Sequence, residues 1–335
     1  MATVEFMDGA ELGHSYLWDG VGGAPSTGAE AAGFTGSYYW ADARHNWKNI
    51  TARTSYYFGF RGKHSNWSGA QVLAVHGVNN SALLGYLQMD DYSGRYKWIC
   101  HGVSSTLTSM IIPINTVVRV EVYVLKNTYA GTTPNNDGIV TVKVNGVIVL
   151  NQTGFRSLGS DYNIDTFHMN LSNYNEFGYD DVICVRDAWP GNVRIQKGIP
   201  DGSGDDTTWD PSAGSNFDCI NEIPYSDTDF VSTNVNDEVD TYTMSDLVEG
   251  TNPIDSILAV QVSARSKLEG APTPQDLQVA VKSGSTYGYS ASHQVQSDTY
   301  DWFSNVWNVN PATSAAFTPA EINSLKIGIK AKARP

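Results

Sequence analysis

The chain has 335 residues, of which 41% are hydrophobic and only 17% charged, and it is rich in Gly, Tyr and Trp. Such a composition favours β-structure with polar, uncharged outer faces over helices, whose surfaces prefer Glu and Lys. The formal net charge of −14 argues against nucleic acid or an anionic membrane as a partner, because both require clustered Lys and Arg.

The N-terminus has neither a basic nor an apolar stretch of the kind found in signal peptides, so we expect synthesis in a cytoplasm without export. No segment approaches the ~18 apolar residues of a membrane span. The cysteines are odd in number and form no CxxC pair, which predicts three reduced, mostly buried thiols: Cys100, Cys184 and Cys219.

Residues 1–187 are predicted to form one strand after another, separated by Gly, Ser, Asn and Asp. Alternation is clearest at 117–125, where Val118, Val120, Val122 and Val124 point one way. Short strands at this spacing, with no helical periodicity between them, indicate an all-β sandwich. The other predicted strands are 54–62, 69–77, 82–90, 95–102, 165–173 and 179–187.

The run DGIVTVKVNGVIVLNQTG at 137–154 predicts a two-residue β-hairpin around Asn145-Gly146. This register pairs Val142 with Val149 and puts Val147 on the same, inward face. Ile148 would lie on a half-apolar opposite face that a partner or a loop covers. We interpret the hairpin as structural.

A linker or crossing strand is predicted at 188–210, where proline and glycine are frequent, and a smaller β-rich domain at 211–335. Its predicted strands are 240–247, 256–268, 275–284, 300–309 and 325–333. One short helix is predicted near 317–325, with Thr318 as N-cap, Pro319 in the first turn and Glu321 completing a capping box.

Between residues 198 and 264 there are fourteen Asp and Glu but no Lys, Arg or His. The simplest interpretation is a series of solvated acidic turns. The alternatives are a face for a basic partner or a weak Ca²⁺ site in DGSGDD, with Asp201, Asp205 and Asp206 as candidate ligands. No other cofactor is expected.

The sequence contains no GxSxG, Walker loop, HExxH or dinucleotide-binding motif. The seven histidines are scattered, and we interpret His76 and His168, which alternate with apolar neighbours, as structural. Glycoside hydrolysis requires two carboxylates about 5–10 Å apart. The E-x-D-x-E type of spacing is absent, and side chains in the adjacent pairs Asp90-Asp91 and Asp180-Asp181 point to opposite faces. We therefore predict that the protein is not an enzyme.

Several aromatic residues occur in turn-rich or alternating segments beside Asn, Asp and Gly. Such side chains suit sugar binding by stacking, although a place in the sandwich core is the simpler explanation for each one. The candidate glycan-binding residues are Trp47, Trp67, Tyr92, Tyr96 and Trp98.

The hairpin at 137–154, the strand YDDVICVRD and the first segment VEFMDGAEL resemble the laminin-G or concanavalin A-like jelly roll over residues 1–187. The segment from Trp209 and Pro211 to Phe230 and Val231 is similar to one that follows such jelly rolls in tailed-bacteriophage virion proteins. The resemblance implies an exposed virion component on the tail or capsid, made in a bacterial cytoplasm, and no catalytic residue follows from it.

These observations predict a non-enzymatic virion structural protein that adheres to host or environmental glycans. Its expected partners are other virion proteins, further copies of itself and a surface glycan. The alternatives are a purely architectural capsid-decoration or tail-accessory protein and, second, a polysaccharide depolymerase.

Overall fold

The computed structural model describes residues 2–10, 17–19, 26–27, 38–40, 45–67, 69–78, 80–100, 103–104, 106–130, 133–156, 161–171, 177–222, 225–248, 254–270 and 276–334. The chain divides into two compact units, residues 1–195 and 196–335. The boundary lies inside the segment 188–210, whose first part belongs to the first unit and whose last part belongs to the second.

The first unit is built from antiparallel strands. They are β1 (Val4–Asp8), β2 (Ser26–Thr27), β3 (Tyr38–Tyr39), β4 (Asn46–Arg53), β5 (Ser55–His64), β6 (Gln71–Gly77), β7 (Ala82–Met89), β8 (Tyr96–Cys100), β9 (Val103–Ser104), β10 (Val118–Leu125), β11 (Tyr129–Ala130), β12 (Thr133–Pro134), β13 (Gly138–Val144), β14 (Val147–Phe155), β15 (Ile164–Met169) and β16 (Phe177–Val185).

Two six-stranded sheets form the layers of this unit. We call them the front sheet, in the order β4-β15-β6-β7-β8-β9, and the back sheet, in the order β1-β16-β5-β10-β13-β14. Neighbouring strands are often far apart in the chain, as in a jelly roll. Between the sheets lies one hydrophobic core that includes Val120 and Val122 from the back sheet and Phe167 from the front sheet. The predicted all-β fold with an N-terminal concanavalin A-like jelly roll is confirmed.

The hairpin forms at Asn145-Gly146, but its predicted register is wrong beyond the first pairs. Both turn residues have positive φ, as a tight hairpin requires. A bulge then places Val142 opposite Leu150 instead of Val149. Val149 and Leu150 are both buried, whereas Val147 is 64% and Ile148 is 56% exposed. The tip of the hairpin therefore extends beyond the core.

The second unit is a smaller β-rich domain. Its strands are β17 (Pro200–Thr207), β18 (Asp210–Pro211), β19 (Val231–Ser232), β20 (Val239–Met244), β21 (Val260–Ser266), β22 (Asp276–Ser283), β23 (Thr286–Tyr289), β24 (His293–Gln294), β25 (Asp301–Trp307) and β26 (Lys326–Lys332). The order β17-β20-β26-β22-β23 forms one sheet, and β21 pairs with β25 in another. Val262 and Trp307 from the small sheet pack with Val279 and Val281 from the large one.

The short helix α1 (Pro319–Asn323) has the predicted capping box. The Thr318 hydroxyl accepts from the backbone N–H of Glu321, and the Glu321 carboxylate accepts from the backbone N–H of Thr318 at 2.7 Å. The three cysteines are free and buried. Across the described ranges, no helix has the length and hydropathy of a membrane span.

Candidate active site

The outer face of the front sheet carries a group of histidines where two central strands pair. In β15, Phe167 and Met169 enter the core, so the alternating residue His168 points outward. Ala74 of β6 lies directly across from His168, and His76 is the next outward residue of that strand. The small side chain of Ala74 leaves room for the two imidazoles to pack with ring centroids 4.2 Å apart.

His168 uses both ring nitrogens within the protein. Its Nε2 lies 2.5 Å from Oδ1 of Asn80, and its Nδ1 lies 2.6 Å from Nε2 of His45. Because the amide oxygen of Asn80 only accepts, His168 Nε2 carries the proton. A neutral His168 then accepts at Nδ1, so His45 donates from Nε2. This relay leaves the lone pair of His45 on Nδ1.

His76 has no such partners. Both of its ring nitrogens are buried and neither bonds a side chain, whereas the Asn80 backbone acts on the ring as a hydrogen-bonding group. We call His45, His76 and His168 the imidazole cluster.

Burial keeps the imidazole cluster neutral. Together with a smaller effect of the charges that His76 and His45 would carry, it lowers the pKa of His168 to about 2. The pKa of His76 falls to about 4 by burial, with the Asn80 backbone opposing this shift. Burial also lowers the pKa of His45 from 6.5. At neutral pH, all three rings are therefore uncharged.

Other polar and aromatic side chains surround the cluster. Trp47 of β4 stacks on His168 with centroids 6.0 Å apart. Asn49 of the same strand accepts from the Thr166 hydroxyl at 3.0 Å. Tyr86 of β7 is half-buried and lies in the same cross-strand row, opposite Ala74. A row that spans two strand spacings places the backbones of Tyr86 and His168 about 10 Å apart.

Carboxylates are sparse on this face. Asp90 follows β7 at one end of the sheet and pairs with Lys97 at 3.0 Å. Asp165 lies near the other end, beside Thr166. The strand length between their positions corresponds to more than about 20 Å. Asp90 and Asp165 are therefore too far apart to act together in glycoside hydrolysis.

The predicted glycan-binding aromatics do not lie together. Trp47 belongs to the candidate site. Trp67 is 40% exposed, and its Nε1 donates to the Ile112 carbonyl at 3.0 Å, whereas Tyr92 is 92% exposed in a turn. The prediction that Tyr96 and Trp98 bind a glycan is wrong, because alternation in β8 turns both side chains into the core, where no glycan reaches them.

The predicted metal ligands lie on strand β17 instead of in a loop, and lysines neutralise them. Asp205 pairs with Lys282 at 2.9 Å and with Lys326 at 2.5 Å, which holds its pKa near 2. Asp206 pairs with Lys282 at 3.2 Å, and Asp201 accepts from a threonine hydroxyl. Elsewhere in the described part of the chain, no three His, Cys, Asp or Glu side chains converge on a metal position.

The structure adds His45 and Asn80 to the site, and neither residue was predicted to belong to it. Both belong to segments between strands, and only the non-local pairing of β4, β15 and β6 brings them to His168. His76 and His168 were predicted to be structural. Strand alternation indicated that each histidine alternates with apolar neighbours in its own strand, but it could not show that these two strands pair.

No protein-family model and no curated protein sequence matches the chain. Among solved structures, an endo-β-1,4-glucuronan lyase from the fungus Trichoderma reesei is similar, at 11% identity and a TM-score of 0.39, over 55% of this chain and 96% of that one. An alginate lyase from a Chlorella virus matches at 14% identity and a TM-score of 0.41, over 55% of this chain and 100% of that one. Domain 4 of an arabinanase from Geobacillus stearothermophilus, in complex with arabinotriose, matches at 13% identity and a TM-score of 0.36, over 55% of this chain and 82% of that one.

These comparisons contradict the predicted non-enzymatic virion protein. The structures named above are glycan-active enzymes or bind a glycan, and none is described as a phage structural protein. They agree better with the depolymerase alternative, and the prediction that the protein is not an enzyme is likewise contradicted. Identities this low do not transfer an activity, so the reaction has to be argued from the residues of this chain.

Proposed function

We propose that this protein is a polysaccharide depolymerase that cleaves uronate-containing chains by β-elimination on the outer face of the front sheet. The observation that carries the proposal is the imidazole cluster, which is neutral at pH 7 and lies on the outer face of the front sheet. Proton abstraction by a neutral imidazole fits this cluster, whereas Asp90 and Asp165 are too far apart for two-carboxylate hydrolysis.

Elimination proceeds by removal of a proton from C5 of a uronate, next to its carboxylate. The C4–O4 bond then breaks, its electron pair goes to O4, an acid protonates O4, and a C4=C5 double bond forms. His45 suits the base, because the relay through His168 to Asn80 fixes its proton on Nε2 and leaves Nδ1 to accept. The relay also orients the ring.

Tyr86 is the candidate acid, because it lies in the same cross-strand row as His168, on the far side of Ala74. The elimination also requires groups that neutralise the uronate carboxylate. Asn49 and Asn80 both use their amide oxygens within the protein, which leaves their NH₂ groups to donate to an anionic oxygen. The first unit is close to neutral, with 13 basic and 16 acidic residues, so it does not strongly repel an anionic chain.

The test is incubation of the full chain with alginate while the ultraviolet absorbance of the unsaturated uronate and the number of reducing ends are recorded. We expect both to rise together. Variants H45A and Y86F should each lose about 10²-fold or more in kcat. Variant H293A changes a histidine of the second unit and should keep full activity.

Two results would overturn the proposal. Reducing ends without absorbance would mean hydrolysis, and unchanged activity in folded H45A and Y86F would place the reaction elsewhere. A location in a virion, virion proteins as partners and assembly into a homo-oligomer stay predictions of the sequence resemblance, and electron microscopy of the particle would test them.

A further inference from the structure

The second unit presents a face that its core does not use. Strands β21 and β25 form a two-stranded sheet in which Arg265 pairs with Trp302 and Ser263 with Ser304. The alternate residues Val262 and Phe303 pack into the core of the unit. The opposite face therefore carries arginine, tryptophan and serine side chains, together with Gln261.

Aromatic rings are fixed at one end of this face. The Arg265 guanidinium lies between the rings of Tyr225 and Tyr300, 4.1 Å and 4.3 Å from their centroids. Trp302 meets Tyr225 edge to face at 5.5 Å and 74°. The Asp227 carboxylate pairs with Arg265, and its backbone carbonyl accepts from the Tyr300 hydroxyl at 3.3 Å. These contacts hold three half-buried rings in place before any ligand binds.

Hydrogen-bonding side chains continue from these rings along the two strands. Ser263, Ser304 and Gln261 are partly or fully exposed, and among the described residues none of them uses its side chain in an internal hydrogen bond. From Arg265 to Gln261 the row extends about 13 Å, at about 3.3 Å per residue. This length exceeds that of a single sugar ring.

We infer that this face, formed by Tyr225, Arg265, Tyr300, Trp302, Ser263, Ser304 and Gln261, binds an uncharged polysaccharide. Aromatic rings stack on the apolar faces of pyranose rings, and hydroxyl and amide groups bind sugar hydroxyls. We call it the aromatic platform. It is separate from the imidazole cluster and does not depend on the proposed elimination.

Charge decides between an uncharged and an anionic ligand. Residues 196–335 carry 8 basic and 19 acidic side chains, so the unit repels a polyanion. Arg265, the central cation of the platform, is already paired with Asp227. Apart from the Lys267 ammonium, 5.1 Å from the centroid of the Tyr300 ring, what remains for a ligand is ring surface and neutral hydrogen-bonding groups.

The test is sedimentation of the full chain with insoluble cellulose, and affinity electrophoresis in gels that contain soluble xylan or alginate. We expect retention by at least one of the two uncharged polysaccharides, unaffected by added salt, with at least a tenfold loss of affinity in W302A. The matched control W209A removes a tryptophan of the same unit whose Nε1 donates to the Glu238 carbonyl, and it should bind normally.

S304R provides a second variant, because it adds bulk at an exposed position of the platform and leaves the core side chains unchanged. It should abolish retention in a protein that unfolds like the wild type. The inference is overturned if neither cellulose nor xylan retains the chain, if folded W302A and S304R bind as tightly as the wild type, or if only alginate binds and salt releases it. Activity on alginate is measured separately, so failure of one proposal is distinguishable from failure of the other.

Discussion

Replacing Asp8 with asparagine should remove a specific pH dependence of the stability of the first unit. Asp8 is buried at the end of β1, where its carboxylate accepts from the Ala10 N–H at 2.8 Å and from the Trp18 indole at 2.6 Å. Burial outweighs these hydrogen bonds, and the Asp181 carboxylate adds repulsion, so the pKa rises from 3.8 to about 6. The folded state therefore binds the proton of Asp8 more tightly than the unfolded state does.

The sign follows from this difference. The stabilisation by protonated Asp8 is fully present below pH 3.8 and is lost as pH rises through 6. A shift of roughly two pH units corresponds to about 3 kcal/mol in the free energy of unfolding. Asparagine cannot titrate, and its single oxygen leaves one of the two donors without an acceptor, at a constant cost of about 1–3 kcal/mol.

The assay is guanidinium denaturation of the wild type and D8N at several values between pH 4 and pH 7, followed by tryptophan fluorescence. The unfolding free energy of the wild type, taken relative to that of D8N, should fall by about 3 kcal/mol from pH 4 to pH 7, so that D8N becomes as stable as the wild type or more stable. Taking the difference cancels the titration of every group that the two proteins share. A difference that stays constant across this range would refute the argument that Asp8 is held protonated by burial.

Three further predictions test the site and the core. The acid limb of kcat/KM on alginate should have its midpoint below pH 6.5, because burial lowers the pKa of His45. H168A should move that midpoint upward, because it exposes the His45 ring. A midpoint that stays unchanged in active H168A would contradict this prediction. G94A should lose about 1–3 kcal/mol of stability, because a Cβ there would lie 2.3 Å from the Trp67 ring. The control G191A is also at positive φ but in open space, so it should lose only about 1 kcal/mol. Equal losses in the two variants would mean that backbone strain alone determines the loss of stability. V142A should lose about 2 kcal/mol of unfolding free energy, and V147A less than about 0.5 kcal/mol, because Val142 is buried and Val147 is exposed. Similar losses in the two variants, measured by the same chemical denaturation, would contradict the bulged hairpin register.

Local patterns in the sequence predicted local structure well. The capping box at Thr318 and Glu321 depends only on residues three apart, and alternation in β10 depends only on its own valines. Alternation failed where both faces of a strand carry apolar residues. In β8, Ile99 points outward and Trp98 inward, and neither hydropathy nor periodicity distinguishes these two arrangements.

The site was missed for a different reason. Its chemistry arises from the pairing of strands whose positions differ by about ninety residues, as for His76 opposite Thr166. The hydrogen bond between His45 and His168 joins residues 123 positions apart. Each histidine alone has an ordinary structural explanation. Only the register of a jelly roll brings the rings together and buries them deeply enough to keep them neutral.

Burial of histidines also sets the order in which acid inactivates and unfolds the first unit. His64, His76 and His168 have pKa values lowered by burial to about 3, about 4 and about 2. Their stabilising effect is present above pH 6.5 and is lost as pH falls, because the unfolded state binds protons first. Each of them costs about 1.4 kcal/mol per pH unit below 6.5, so the three together cost roughly 6 kcal/mol at pH 5.

That cost is comparable to the whole stability of a typical domain, about 5–15 kcal/mol, so we expect acid unfolding of the first unit near pH 4–5. His45 is only half-buried, and burial lowers its pKa from 6.5, so we expect activity to fall reversibly before the fold is lost. In H64Q one titrating group is removed from the core, where His64 bonds the Tyr96 hydroxyl at 2.9 Å. The acid unfolding midpoint should then move to lower pH while the acid limb of activity stays in place. Parallel movement of both would mean that inactivation is simply unfolding, and that His45 is not the base.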